Sequence, residues 1–320
     1  MISFIVIGRN EGEKLIRCIK SIKSLIIKND IPSYEIIYVD SQSDDGSIEN
    51  VAKIGDVSVY VLQGQYNAAI ARNVGYRESK GESLFFIDGD MELLSDFFFS
   101  IFDKSYHLLY DFVSGDMLNY FYNDNGQFIG KSYYFKTQLK NDRYTSIVGG
   151  LFCVKRSIWE MAGGMRTKYR RSQDLDLGLR LAKKGIRLVR KKETFIIHHT
   201  IDYAEKKRLL KILADGDFLY RGVLYRDHIF NKYVYSIILR WDYSFLLLLA
   251  CSGIAALVGS FLPILPYIAC ILIRALFRSA GKTKSIIREF GLITINDFQL
   301  LMSILFFFPK NKQCLFRQFQ

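Results

Sequence analysis

Two aspartates flank a glycine in the run Leu84-Phe85-Phe86-Ile87-Asp88-Gly89-Asp90-Met91. Acids two residues apart in an extended turn point to the same side, and paired carboxylate oxygens are what a hard divalent cation takes. Such a cation offsets the charge that develops on a departing pyrophosphate. The triplet is also ordinary surface-turn composition, so its weight comes from the apolar strand directly before it and from what else falls into register. A second acidic run, Ser172-Gln173-Asp174-Leu175-Asp176, lies far downstream. An alcohol is a poor nucleophile, and a carboxylate within hydrogen-bond reach can take its proton as a new bond forms. Asp174 is the better candidate for that work, because Asp176, at the start of a helix, more often serves the helix dipole.

The elements that must carry these groups are legible from hydrophobic period. Short apolar strands at 4–7, 35–39 and 57–62 alternate with helical patterns at 14–27 and 47–54, a βαβαβ opening. A helix over 68–79 and a strand over 84–87 follow, so the acidic triplet sits at a strand's carboxyl end, where open α/β sheets bind ligands. The first strand ends in Gly8-Arg9-Asn10-Glu11-Gly12, polar groups that can meet a nucleobase, and the second in Asp40 with a helix start signal at Ser47. Ala69-Ile70-Ala71-Arg72-Asn73 puts an arginine just ahead of the acidic strand. Beyond Gly149-Gly150 the pattern predicts a strand over 151–155, a helix over 157–161, a helix after Gln173-Asp174, and a strand 195–197 ending in His198-His199.

Together these five runs, in this order over residues 1 to about 200, resemble family 2 glycosyltransferases. The resemblance implies an α/β GT-A fold, the Rossmann-like nucleotide-diphospho-sugar transferase domain, and an inverting transfer from a nucleotide sugar, UDP-linked by expectation. It implies that Asn10, Glu11 and Asp40 meet the nucleobase and ribose, that Arg72 meets the diphosphate or base, and that Asp88 also contacts the donor. It implies a divalent metal, Mn2+ or Mg2+, at Asp88 and Asp90, and Asp174 as catalytic base. His198, at the end of the strand over 195–197, is placed to complete the metal site or to contact the diphosphate. Gly149-Gly150 matches the acceptor-side loop. The chain departs from the family pattern at Gln173, where Glu is usual, and at Gly8-Arg9, where proline and a small residue are common.

The 320 residues are 50% hydrophobic and 24% charged, enough for one large α/β domain and an appended segment. The composition changes near Arg240. Residues 244–277 hold no acid and one charge, Arg274, with Pro263 and Pro266 in the middle. A single helix of that length would reach roughly 50 Å, against about 30 Å for a hydrocarbon core, so a hairpin broken at the prolines is expected. A second apolar patch, 298–308, is too short to span and reads as interfacial. We therefore expect a catalytic domain over 1–235 and a membrane-associated helical region over 236–320, with the hairpin at about 244–277 and the interfacial segment at about 286–308. Arg240, Arg278, Lys282, Lys284 and Arg288 flank the hairpin, which by the positive-inside rule puts its ends and the catalytic domain on the cytoplasmic side of the cell (inner) membrane. A net charge of +12 suits a nucleotide or an anionic membrane. Basic residues beside apolar stretches favour lipid over nucleic acid as partner. Five scattered cysteines form no disulfide framework or zinc pattern.

The expected acceptor is a glycan or lipid-linked saccharide in cell-surface polysaccharide or glycolipid synthesis. Transfer onto polyisoprenyl phosphate is the rival within enzymes, and a membrane adaptor keeping an inactive transferase fold the rival outside them. A processive synthase is disfavoured, since Leu239-Arg240-Trp241 only partly echoes the Gln-x-x-Arg-Trp motif of those relatives.

Overall fold

The computed structural model describes residues 1–123, 125–201, 215–279 and 283–319. The chain packs as two units: Met1–Leu209 joined by Lys310–Gln320, and Leu210–Pro309. The change in composition near Arg240 thus falls inside the second unit, and residues 310–320 return to the first.

The first unit opens with β1 (Ile2–Gly8), α1 (Glu13–Lys28), β2 (Tyr34–Asp40), α2 (Ser47–Ala52), β3 (Ser58–Gln63), α3 (Ala68–Glu78) and β4 (Ser83–Asp88). Strands β3, β2, β1 and β4 lie side by side and parallel. The alternation of β1 decides both faces. Phe4 and Val6 enter the core under α1, and Ile5 and Ile7 enter the core under α3, as a period of two requires of a strand covered on both sides. After β3 the chain crosses back to lay β4 on the far side of β1, so the order reverses between β1 and β4 and leaves a crevice beyond their carboxyl ends. Register fixes what lies there: Gly8 is opposite Asp40, and Ile7 opposite Asp88.

The sheet continues with β5 (Met91–Leu93), β6 (Phe112–Tyr122), β7 (Phe128–Tyr133), β8 (Arg143–Thr145) and β9 (Phe152–Lys155). Helices α4 (Arg156–Ala162) and α5 (Gln173–Lys183) follow, then β10 (Leu188–Ile201). Strand β9 lies antiparallel to β4, and β10 runs parallel to β6 and antiparallel to β5. The apolar stretch expected over 195–197 is the middle of this longer strand. The last strand, β11 (Leu315–Gln318), pairs antiparallel with β3 at the opposite edge.

In the second unit are α6 (Leu219–Asp227), α7 (Lys232–Trp241), α8 (Tyr243–Val258), a 3-10 turn at Leu262–Ile264, α9 (Leu265–Ser279) and α10 (Thr283–Phe306). The break in the apolar run falls at the prolines, and α7 and α8 are bent by 96° to each other. Leu262–Ser279 and Ser285–Phe306 are long and apolar enough to cross a membrane, with a third span if the bent pair counts as one. The patch read as short and interfacial is therefore the end of a 24-residue helix. The polar residues that break its apolar run turn inward. Asp297 is buried and accepts from Tyr267, and Asn296 donates to the buried Asp242 at 3.0 Å. Asp242 also accepts from Arg221 and Tyr225. Arg274 is buried against Ser244 and the Trp241 carbonyl. Leu257, Phe261 and Phe277 remain exposed. Lys282 and the side chain of Lys284 lie outside the described residues.

Candidate active site

Asp88 is the last residue of β4 and stands half-buried at the crevice. Behind it Arg72, on α3 and only 2% exposed, donates Nη2 to Asp88 Oδ1 at 2.6 Å. The guanidinium also touches the Gly150 carbonyl at 3.5 Å and the Met165 sulfur at 3.9 Å. Arg72, expected to meet the diphosphate or base, is thus buried with its guanidinium turned to Asp88, Gly150 and Met165. Burial pushes the Asp88 carboxyl up to about 6, against the pull of Arg72. Glu11 is pushed up to about 7, by burial first and by Asp90 next. Asp88, Asp90 and Glu11 thus lie close enough for their charges to act on one another.

Asp90 follows in the same turn, and His198 on β10 reaches it, Nε2 to Oδ2, at 3.2 Å. Burial disfavours the imidazolium, but Asp90 outweighs it and raises the His198 pKa. Its other ring nitrogen, Nδ1, lies 2.9 Å from Asn119 Oδ1. An amide oxygen only accepts, so Nδ1 carries a proton, and a carboxylate likewise only accepts, so Nε2 donates to Asp90 here and would give up that proton to bind a cation. Adjacent strand residues alternate faces, and His199 turns away, between Tyr122 at 3.0 Å and Glu92 at 3.1 Å. Only the first histidine of the pair joins the acids.

These residues fit a divalent cation. Asp88, Asp90 and Nε2 of His198 are hard or intermediate donors, the carboxyls are crowded enough to favour a cation, and Asn119 orients the histidine as a ligand requires. Among the described residues no group of three or more His, Cys, Asp or Glu closes into a ready cage. Mg2+ and its like are usually held by one or two carboxylates, with substrate phosphates and water supplying the rest.

A cleft of about 290 Å³ opens at the crevice, lined by Ile7, Gly8, Arg9, Glu11, Ser41, Tyr66, Asn67, Ala68, Asp88 and Asp90. Of the expected nucleotide contacts, Glu11 and Asp88 line it. Asp40 lies behind the wall and Asn10 on the exposed surface beside it, neither lining the cleft. Asp40 is fully buried and accepts from Tyr38 Oη at 2.6 Å and from Ser43 N at 2.7 Å and Oγ at 2.5 Å. Asn10, at φ 55°, exchanges hydrogen bonds with Asp44 at 2.8 and 3.0 Å. Together they zip the loop after β1 to the loop after β2, and their side chains are occupied in doing so. Arg9, one of the polar groups expected after the first strand, is on the wall; sequence reasoning missed the wall residues Ser41, Tyr66 and Asn67. Arg9 stacks over the Tyr66 ring at 4.5 Å, a pairing across 57 positions that leaves no local signal. Asn67 had one: an amide before Ala68 at a helix start, where its Oδ1 accepts from Ile70 N at 2.9 Å.

Asp174 opens α5, and its Oδ2 accepts from Gly149 N at 3.0 Å. Gly149 has φ 84°, a conformation that favours glycine. A Cβ on the next residue, Gly150, would overlap the Asp88 carboxylate. One dipeptide therefore touches both acids. The loop is held from below by Arg190, 2% exposed, which donates to the carbonyls of Val148 at 2.7 Å, Ile147 at 3.1 Å and Gly115 at 3.0 Å. Asp176 faces the other way, fully buried against Arg180 at 2.8 Å and Arg166 at 3.3 Å.

Residues 3–201 match the model of the family described as Glycosyl transferase family 2. The poly(ribitol-phosphate) beta-N-acetylglucosaminyltransferase TarP of Staphylococcus aureus (strain N315) is 38% identical over 93 residues, which is 28% of this chain and 28% of that protein. Among solved structures, the mannosyltransferase PcManGT from Pyrobaculum calidifontis, in complex with GDP-Man and Mn2+, aligns over 95% of this chain and 87% of its own at 17% identity, with a TM-score of 0.59. GalNAc-T7 with UDP, GalNAc and Mn2+ aligns over 62% of this chain and 43% of its own at 16% identity, with a TM-score of 0.49.

Proposed function

The chain belongs to glycosyl transferase family 2, and from that premise we propose that it moves a sugar from a nucleotide-diphosphate donor to a hydroxyl acceptor with inversion, using Asp174 as base. The observation that carries this reading is the Gly149-Gly150 dipeptide, whose first residue binds Asp174 and whose second abuts Asp88. Base and leaving-group acid are thereby set against the same short piece of backbone. With Oδ2 held by Gly149, Oδ1 of Asp174 is left for the acceptor hydroxyl. As the acceptor oxygen bonds to the anomeric carbon, its proton passes to Asp174 and the bond to the diphosphate oxygen breaks. A divalent metal, when bound by Asp88, Asp90 and His198, offsets the charge on the departing diphosphate. Arg72 keeps Asp88 aimed at the crevice, and Arg9, Tyr66 and Glu11 wall the donor cleft. The reading assigns residues 1–201 and 310–320 to catalysis.

The acceptor we propose is a glycan or lipid-linked saccharide at the cell membrane, with the catalytic unit on the cytoplasmic side. The two candidate spans support the membrane part, and the relative named for a poly(ribitol-phosphate) supports a polymeric acceptor. The same spans equally favour a polyisoprenyl phosphate acceptor, which is the second reading.

Nucleotide sugars, UDP-linked first, are titrated calorimetrically with Mn2+ into the full chain in detergent, and radiolabelled donors are offered to membranes with and without the protein. The reading expects one donor to bind and one lipid or glycan to gain label. Replacement D174N is expected to lower turnover by about 10²–10⁴-fold, the usual worth of a positioned base, while donor affinity holds. Undiminished turnover in that variant would remove Asp174 from its role.

A further inference from the structure

Residues 310–319 rejoin the first unit after the apolar helices, and their contacts are not confined to the sheet edge. Strand β11 itself does what an edge strand does. It pairs with β3 from Leu315 opposite Gln63 to Gln318 opposite Tyr60. Phe316 packs edge-on against Tyr60 at 5.7 Å and under the Arg77 guanidinium at 4.2 Å. The residues before the strand are differently engaged. Thr167 Oγ donates to the Lys312 carbonyl at 2.8 Å and accepts from Lys312 N at 2.7 Å, and Lys168 N donates to Asn311 Oδ1 at 3.1 Å. Covering an edge requires none of these bonds.

Thr167 is buried, and its carbonyl accepts from Asn67 Nδ2 at 2.8 Å. Asn67 lines the donor cleft and caps α3, the helix of Arg72. Two residues earlier, the Met165 backbone exchanges bonds with the side-chain amide of Asn73 at 2.8 and 2.9 Å, and its sulfur lies against Arg72. The same segment then runs into Ser172 and Asp174 at the start of α5. A series of direct contacts thus leads from Lys312 to Thr167 to Asn67 at the cleft wall, and by chain continuity to the base.

We propose that Thr167 is a positioning residue for donor binding and that the returning tail is the part that sets it. The proposal rests on the reading of the cleft as the donor site. The hydroxyl matters because it closes a two-way bond with the N–H and the carbonyl of one residue, Lys312, which serine can reproduce and valine cannot. With that bond lost, the Thr167 carbonyl is no longer fixed for Asn67, and the cleft wall and the approach to α5 loosen together. The base itself is untouched, so the effect belongs to donor affinity more than to turnover of bound donor.

The test uses the full chain in detergent with UDP and Mn2+ as the probe, and follows hydrogen exchange over 66–70 and 163–172. T167V is expected to weaken UDP binding and raise the donor KM by about five- to ten-fold, as one or two lost hydrogen bonds would, with kcat nearly unchanged and Tm lowered by only about 2–4 °C. T167S is expected to bind as the parent does. A chain stopped after Pro309 should show at least the T167V loss, with faster exchange in both segments. The strand variant F316D separates the two parts of the tail: it disturbs the edge, and it weakens UDP binding only if exchange at 163–172 rises too. Parental UDP affinity and exchange in both T167V and the truncated chain would overturn the proposal. If the parent protein binds no nucleotide, the donor reading fails, and the exchange of 163–172 still decides whether the tail holds that segment.

Discussion

His198 and His199 carry the same side chain at adjacent positions, and their surroundings give them different work. Asn119 holds His198 with its other nitrogen on Asp90, at the acids of the cleft, whereas His199 spends both nitrogens on Tyr122 and Glu92, away from them. Replacing Asn119 with Leu should therefore weaken Mn2+ binding by about 10–100-fold, the usual cost of losing a partner that orients a metal-bound histidine, as read by the spin-resonance signal of free Mn2+. H199N should change it much less. Gly150 gives a second residue-scale prediction. Ala at that position drives a methyl into the Asp88 carboxylate and Met91, so G150A should lose donor binding while circular dichroism shows the fold intact. The acids themselves were legible in the sequence, because strand period and turn chemistry are local. Asn119 and Arg190 were not, because their partners lie 79 and 42 positions away, for His198 and Val148.

Helix α5 shows how an element sorts two identical acids. Asp174 lies at its first turn, facing Gly149, and Asp176 lies two positions on, buried between Arg166 and Arg180. Residues two apart on a helix point in widely different directions, so one faces the cleft loop and the other the core. D176N leaves two guanidiniums facing a neutral amide. It is expected to cost about 3 kcal/mol, as broken buried pairs do, seen as a lower urea midpoint, whereas D174N should leave the midpoint close to the parent's and remove turnover. The dipole role considered for Asp176 is thus overtaken by a stronger one, a buried double ion pair. The α10 helix makes a parallel case. Its polar residues Asn296 and Asp297 shortened the apolar run in the sequence, yet both face partners inside the unit, and the surface that remains is apolar enough to cross a membrane.

For the whole molecule, the chain leaves the first unit, forms the apolar unit and returns to complete the sheet. If the candidate spans are embedded, high salt and alkaline carbonate should leave the protein in the membrane fraction. Lys in place of both Leu257 and Phe277, exposed at 89% and 84%, should shift it toward the soluble fraction, since a charge in hydrocarbon costs about 2.5–3.5 kcal/mol per residue on insertion scales. Retention of the double variant after carbonate would argue that the remaining helix Ser285–Phe306 suffices as an anchor.

The sequence determined the order of strands and helices to the acidic strand end and again from Leu151 to the strand ending at His198, together with the two acidic strand ends and the place where the chain turns apolar, because each of these is written in residues a few positions apart; the four strands between Met91 and Thr145 it did not mark. The tertiary structure alone decided which polar groups face the cleft, which of two neighbouring histidines joins the acids, and that residues 310–319 belong with Thr167. Those outcomes depend on strand register and on contacts between segments far apart in the chain. No local period records them.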